Sequence, residues 1–228
     1  MKRIAVVVGL AASIQLVTGQ AQTGPAFSPV TWERLLNAAD EPENWLLYSG
    51  SLDSQRFSRL DQIHGGNVAE LELKWAYQIP EIDRAETVPL VVDGVMFITE
   101  APSNVVAVDA RTGRPYWRYD HPLPDDLILC CGPANRGVAI AGDRIFMGTL
   151  DARIVALDRR TGALLWNSPI ENYRDGFSAT SAWVDFQTFM IDLFRGSQNG
   201  VFNSVTLADT LGVVFFPVGF FLVYMFFS

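Results

Sequence analysis

Clustered positive charge is missing from this sequence. Lysine and arginine number 17 against 25 aspartates and glutamates, for a formal net charge of −8, and no basic run is longer than a pair such as Arg159-Arg160. A phosphate backbone is bound by convergent basic side chains, so this balance excludes nucleic acid as a partner. Cysteine is nearly absent too, limited to the neighbours Cys130 and Cys131. A bond between adjacent residues closes almost no chain, which excludes cysteine as a source of stability through loop entropy. Charge of either sign makes up only 18% of residues, and none occurs from Thr210 to Ser228. What is abundant is apolar: 49% of the chain, with 15 Phe and 6 Trp. That is ample for a core, but part of the excess sits at the two ends.

Lys2 and Arg3 precede a mostly apolar stretch from Ile4 to Val17, broken only by Gly9, Ser13 and Gln15. Gly19-Gln20-Ala21 then offers small side chains at the recognition positions. This is the pattern of an export signal cleaved after Ala21, and residues 1–21 are assigned to it. The alternative is an uncleaved membrane anchor, for which the apolar run is short. Export implies an oxidising, periplasmic compartment, where disulfides persist.

Residues 22–43 read as a connector, with Pro25, Pro29 and Pro42 around one short helix in the patch Trp32 to Ala39. From Asn44 the texture becomes that of an all-β protein, with short β-branched and aromatic runs between turn signals. Val88 to Val92 and Val95 to Thr99 flank Asp93-Gly94. An Asp-Gly pair between two apolar runs signals a hairpin, because that turn needs positive φ.

A repeat organises this region. Ala107-Val108-Asp109-Ala110-Arg111-Thr112-Gly113, followed by Trp117, returns 49 positions later as Ala156-Leu157-Asp158-Arg159-Arg160-Thr161-Gly162, followed by Trp166. Met96-Phe97 and Ile145-Phe146 keep the same offset. Short strands repeating at this period indicate β-propeller blades. In each copy the Asp side chain can accept turn N–H bonds and the Gly can take a φ that other residues resist. The Trp opens the next strand and can pack between neighbouring sheets, where its N–H needs a partner. The motif is therefore architectural rather than catalytic.

Cys130 and Cys131 pose a different question. Adjacent Cα atoms lie about 3.8 Å apart, whereas ordinary disulfides hold them roughly 4.4–6.8 Å apart. The pair is either a strained ring with a local role or two free core thiols. The surrounding segment, Cys130-Cys131-Gly132-Pro133-Ala134-Asn135-Arg136-Gly137, resembles the vicinal-cysteine segment of the pyrroloquinoline-quinone (PQQ) dependent alcohol dehydrogenases, including the methanol dehydrogenases. Asn44-Trp45 through Tyr48-Ser49-Gly50, then Gln55 to Ile63, is similar to that family's opening strand, and Asn67 to Leu71 and Trp75 continue the likeness. Ala85 to Val92 is similar to the stretch whose glutamate contacts PQQ, and Asp175 to Thr180 to the stretch whose threonine does so. The resemblance covers about Asn44 to Ala182. It implies PQQ contacts from Glu86, a disulfide ring of Cys130 and Cys131, Arg136 and Thr180. It also implies an all-β fold: about three blades of an eight-bladed propeller, over residues 44–182. A guanidinium fork suits a carboxylate or quinone oxygen, which is consistent with Arg136 in that role.

The resemblance stops at Trp183-Val184-Asp185, and residues 183–228 contain no further blade motif. In the family, the calcium ligands, the aspartate base and a carbonyl-polarising arginine lie beyond this point. Calcium is thus a family cofactor whose ligands are not found in this sequence, and no catalytic or metal-binding residue is assigned. The tail is apolar from about 211 to 227, either a transmembrane helix or sequence unrelated to the fold. The favoured reading is the N-terminal part of a periplasmic PQQ-dependent alcohol dehydrogenase, inactive alone, whose missing blades another chain could supply. A non-catalytic, membrane-tethered propeller module is the alternative.

Overall fold

A computed structural model describes residues 27–80, 85–129 and 132–180. The segment 1–21 expected to be an export signal, Cys130, Cys131, and the tail from 181 onward lie outside the described residues. Among the described residues, eight strands form two four-stranded antiparallel sheets in simple meander order. The first sheet holds β1 (Leu90–Val92), β2 (Val95–Glu100), β3 (Asn104–Asp109) and β4 (Pro115–Asp120). The second holds β5 (Ala139–Ala141), β6 (Arg144–Gly148), β7 (Arg153–Asp158) and β8 (Leu164–Pro169). This is the partial propeller that the repeat predicts.

The sequence dictates why these strands differ along each sheet. β2, β3, β6 and β7 are near-continuous apolar runs and are buried on both faces, whereas β4 and β8 mix polar, aromatic and aliphatic residues and have no fully buried position. The Asp93-Gly94 turn adopts the positive φ values of +54° and +77°, closing β1 on β2 with Val92 opposite Val95. A bulge falls at Ala107/Val108 in the first sheet and at Ala156/Leu157 in the second, again 49 positions apart. The two sheets share one core, in which Phe97, Val105, Ile140, Phe146 and Val155 are fully buried. Each Phe contributes roughly 2–3 kcal/mol by leaving water.

The repeated turns close as their residues require. Asp109 Oδ1 accepts the N–H groups of Arg111 (2.8 Å) and Thr112 (3.0 Å), and Asp158 Oδ1 accepts those of Arg160 (3.0 Å) and Thr161 (2.8 Å). Gly113 and Gly162 follow at φ +71° and +72°. A tryptophan from the preceding unit lies flat on each glycine. The Trp75 indole N–H donates to Ala110 O (3.2 Å) and that of Trp117 to Arg159 O (3.1 Å). A Cβ on Gly113 would lie 2.4 Å from the Trp75 ring, and one on Gly162 would lie 2.5 Å from Trp117.

The N-terminal connector fastens the sheets together. Its helix α1 (Trp32–Leu36) is capped by Thr31, whose Oγ1 accepts the Arg34 N–H. Arg34 then bridges Glu41 and Asp93, both at 2.7 Å. Val30 pairs with Gly142 and the Ser28 N–H donates to Asp93 Oδ2 (2.9 Å), so the connector reaches the first hairpin turn of both sheets; just beyond it, Trp45 pairs with Val91 on β1. Residues 51–80 differ from expectation. The opening strand expected at Gln55 to Ile63 is irregular, with Phe57, Leu60 and Ile63 exposed. The physical reason is pairing: no other described strand runs beside this segment, and a lone strand has nothing to satisfy its backbone groups. Two complete blades are therefore described, with the 51–80 segment leading into them.

Candidate cofactor site

Three loops converge at one end of the sheets. One precedes β1 and carries Glu86. The second precedes β5 and carries Arg136. The third follows β8 and ends at Thr180. Backbone bonds tie them in sequence: Val88 N–H donates to Arg136 O (3.0 Å) and Arg136 N–H donates to Thr180 O (2.9 Å). The Arg136 guanidinium then links both neighbours, with Nη1 donating to Thr180 Oγ1 (2.8 Å) and Nη2 pairing with Glu86 Oε2 (3.1 Å). Glu86, Arg136 and Thr180 lie 50 and 44 positions apart in the sequence, and the structure brings all three together. Cys130 and Cys131, expected as a disulfide ring beside these residues, lie outside the described residues.

The residue that makes this convergence possible is Asn135, to which the sequence reading gave no role. Asn135 is buried, and its Nδ2 donates to Gly148 O on β6 (2.8 Å). Its backbone O accepts from Thr99 Oγ1 on β2 (3.1 Å), and its Oδ1 accepts the Gly137 N–H (3.2 Å). One residue thus pins the arginine loop to both sheets, through its side chain on β6 and its backbone carbonyl on β2, while Gly137 takes a φ of +128°. The available signal was the Asn-Arg-Gly order, in which a short amide precedes a glycine free to turn. Close packing fixes the third loop as well: Ala179 N–H donates to Thr149 O (2.9 Å), and a Cβ on Gly148 would lie 2.9 Å from Ala179 Cβ.

The side chains of Arg136 and Glu86 remain 44% and 35% exposed, so the cluster is an open rim rather than a closed pocket. It presents a planar cation, a hydroxyl and a carboxylate acceptor. That donor set fits one edge of a flat, carboxylate-bearing cofactor: the guanidinium offers several N–H donors to oxygen, and the carboxylate accepts from N–H or O–H groups. Among the described residues no three His, Cys, Asp or Glu side chains converge as a metal-holding group.

A second polar cluster lies between the sheets. His121 Nε2 meets Asp151 Oδ1 at 3.0 Å, Thr149 Oγ1 donates to the same oxygen at 2.5 Å, and Tyr119 OH lies 3.2 Å from His121 Nδ1. Burial pushes the Asp151 carboxyl up, but the His121 and Thr149 hydrogen bonds outweigh it and hold the group below its ordinary value. His121 and Asp151 are both buried, which suits a link between blades rather than a binding site.

The family model for the β-propeller domain of glucose, ethanol and alcohol dehydrogenases that use PQQ matches residues 45–168, taking in both sheets and the leading segment. This chain belongs to the PQQ-dependent quinoprotein alcohol dehydrogenase family. It is 38% identical over 184 residues to the quinoprotein alcohol dehydrogenase PedH of Pseudomonas putida, covering 80% of this chain and 31% of that protein. It is 39% identical over 180 residues to the 1-butanol dehydrogenase (quinone) of Thauera butanivorans, covering 78% and 28%. Among solved structures, a europium-containing methanol dehydrogenase superposes with a TM-score of 0.62 at 32% identity, covering 65% of this chain and 27% of that one. A quinohemoprotein alcohol dehydrogenase from Pseudomonas putida HK5 gives 0.59 at 40% identity, covering 64% and 22%. The chain thus spans less than a third of the length of these relatives. Among its described residues no helix is long and apolar enough to cross a membrane, and the apolar run at about 211–227 lies outside them.

Proposed function

We propose that this chain is the N-terminal part of an exported, periplasmic PQQ-dependent alcohol dehydrogenase, and that it supplies one edge of the cofactor site without turning over alcohol by itself. The observation that carries this reading is the convergence of Glu86, Arg136 and Thr180 on one rim, tied by hydrogen bonds through Arg136. Arg136 holds a cofactor oxygen through charge-assisted hydrogen bonds, and Thr180 orients the guanidinium. Glu86 accepts a proton-bearing edge of the cofactor and keeps Arg136 from swinging into solvent. Cys130 and Cys131, as a ring disulfide, cover one face of the cofactor plane. PQQ, when bound, supplies the carbonyl that accepts hydride in alcohol oxidation. A metal such as calcium and a carboxylate base belong to parts of the family fold that the matched region does not include. The domain division at 1–21, 22–43, 44–182 and 183–228 belongs to the same proposal.

Dye-linked alcohol oxidation tests the catalytic part. The purified chain, supplied with PQQ and calcium, is expected to show no turnover above the protein-free blank. PQQ-dependent turnover in a preparation free of other chains would overturn it, because a base and a metal site would then have to lie within this chain.

A further inference from the structure

One peptide step at the end of β6 holds two of the three rim loops. Gly148 O accepts from Asn135 Nδ2, next to Arg136, and Thr149 O accepts the Ala179 N–H, next to Thr180. Thr149 is fixed in turn by a buried carboxylate. Asp151 Oδ1 takes the Thr149 hydroxyl at 2.5 Å and meets His121 Nε2 at 3.0 Å. A carboxylate only accepts, so Nε2 carries the proton. His121 directly follows β4, and its backbone N–H donates to Asn104 Oδ1 at the start of β3 (3.1 Å). A line of bonds thus runs from the first sheet through His121, Asp151 and Thr149 to the rim. Asn104, His121, Thr149 and Asp151 are all buried.

We propose that His121 is a positioning residue for the cofactor rim: it holds Asp151, and through Thr149 it sets where Ala179 and Thr180 meet Arg136. The inference rests on the reading of that rim as one edge of a PQQ site, and adds a residue that acts on it from within the core. Without the imidazole donor, Asp151 would lose one of its two side-chain partners. A buried charge left short of partners turns toward water. Asp151 cannot turn alone. It sits inside the turn closed by the Ala152 N–H on Thr149 O (3.1 Å), so its shift carries that carbonyl away from Ala179. The sheets themselves stay joined, because Ser103 Oγ, between β2 and β3, accepts the Leu150 N–H in the same turn (3.1 Å). The loss is therefore felt at the rim and not as separation of the blades.

The test follows amide hydrogen exchange by 15N NMR of the whole chain, without PQQ, in the wild type, His121→Phe and His121→Gln. Phe keeps a ring but has no donor, whereas Gln places an amide nitrogen at the reach of Nε2. In His121→Phe the Ala179 and Arg136 N–H groups, which donate to Thr149 O and Thr180 O, are expected to exchange at least about tenfold faster. In His121→Gln they are expected to stay within about threefold of the wild type. The Gly162 N–H, which donates to Asp158 O at the other end of β7, is expected to keep its rate in both, which verifies that the variants fold. Gly113→Ala, a lesion at that far end, is expected to leave Ala179 and Arg136 unchanged. In equilibrium dialysis PQQ is expected to bind about tenfold more weakly to His121→Phe than to the wild type. Unchanged exchange at Ala179 and Arg136 in His121→Phe, or equal acceleration in His121→Gln or Gly113→Ala, would overturn the proposal. So would unchanged PQQ binding in His121→Phe where Arg136→Ala weakens it. If Arg136→Ala does not weaken it either, the PQQ reading of the rim fails, and the exchange rates still decide the positioning role.

Discussion

Ala110 and Arg159 hold the same position in the two copies of the turn. Their backbones do the same things. Each N–H donates to the β-hairpin opposite, Ala110 to Gly94 O and Arg159 to Asp143 O, both at 3.0 Å. Each carbonyl accepts a tryptophan indole. Their side chains do not. Ala110 ends at a methyl group, whereas the Arg159 side chain is fully buried beneath the N-terminal connector. Its Nη2 donates to Ser28 O (2.8 Å), its Cζ lies 4.8 Å from the Phe27 ring centroid, and its Nη1 is 3.7 Å from Asp93. Among the described residues, Nε and Nη1 have no hydrogen-bond partner. Burial pushes its pKa down, against the pull of Asp93 and Asp143. The comparison separates two levels of structure: the turn is set by five local residues, while the fate of its second residue is set by a segment more than 130 positions away.

The glycines offer the sharpest way to break this comparison. Gly162→Ala needs a side chain at φ +72° against Trp117, which is held inside β4. The expected loss is about 3–4 kcal/mol, read from the urea midpoint. Gly113→Ala is expected to cost less, about 2 kcal/mol, because Trp75 sits on a segment with no strand pairing and can move aside. Equal losses would mean that the two tryptophans are equally fixed.

Arg159 gives a smaller effect. Arg159→Ala is expected to lower stability by about 2 kcal/mol through lost packing and the lost bond to Ser28. Ala110→Arg, where no connector covers the turn, is expected to change it by less than about 0.5 kcal/mol. Next comes Trp117→Phe, which keeps the ring on Gly162 but removes the indole donor, at an expected cost of about 1 kcal/mol in thermal or urea unfolding.

The smallest effect is in pH dependence. Asp151 is held below its ordinary pKa of 3.8. A carboxyl depressed in the folded state stabilises it above the unfolded pKa, and that contribution is lost as pH falls through the folded value. Stability is therefore expected to drop below about pH 4, and Asp151→Asn should flatten that acid limb. An unchanged limb would mean that the His121–Asp151 link between the sheets does not carry the effect.

Local chemistry explains what was legible in the sequence. Asp93-Gly94 and the two Asp-x-x-Thr-Gly turns close on their own residues, so their pattern alone gives hairpins, repeat and blade. The rim residues Glu86, Arg136 and Thr180 were legible only through resemblance, because each alone is an ordinary loop residue. Asn135 was missed since its role depends on Thr99 and Gly148, a donor and an acceptor on two different sheets. The strand expected at Gln55 to Ile63 failed for the complementary reason. A strand is defined by its neighbour, and the sequence of one strand does not reveal whether that neighbour is there.

The central claim, that the rim around Arg136 holds one edge of PQQ, is tested most directly by equilibrium dialysis of the cofactor against the whole chain. The account predicts measurable binding that weakens about tenfold in Arg136→Ala. In Arg111→Ala, which removes the same charge from an exposed turn, binding should be unchanged. Equal weakening in the two variants, or none in either, would contradict it, because binding would then follow net charge or lie elsewhere on the molecule.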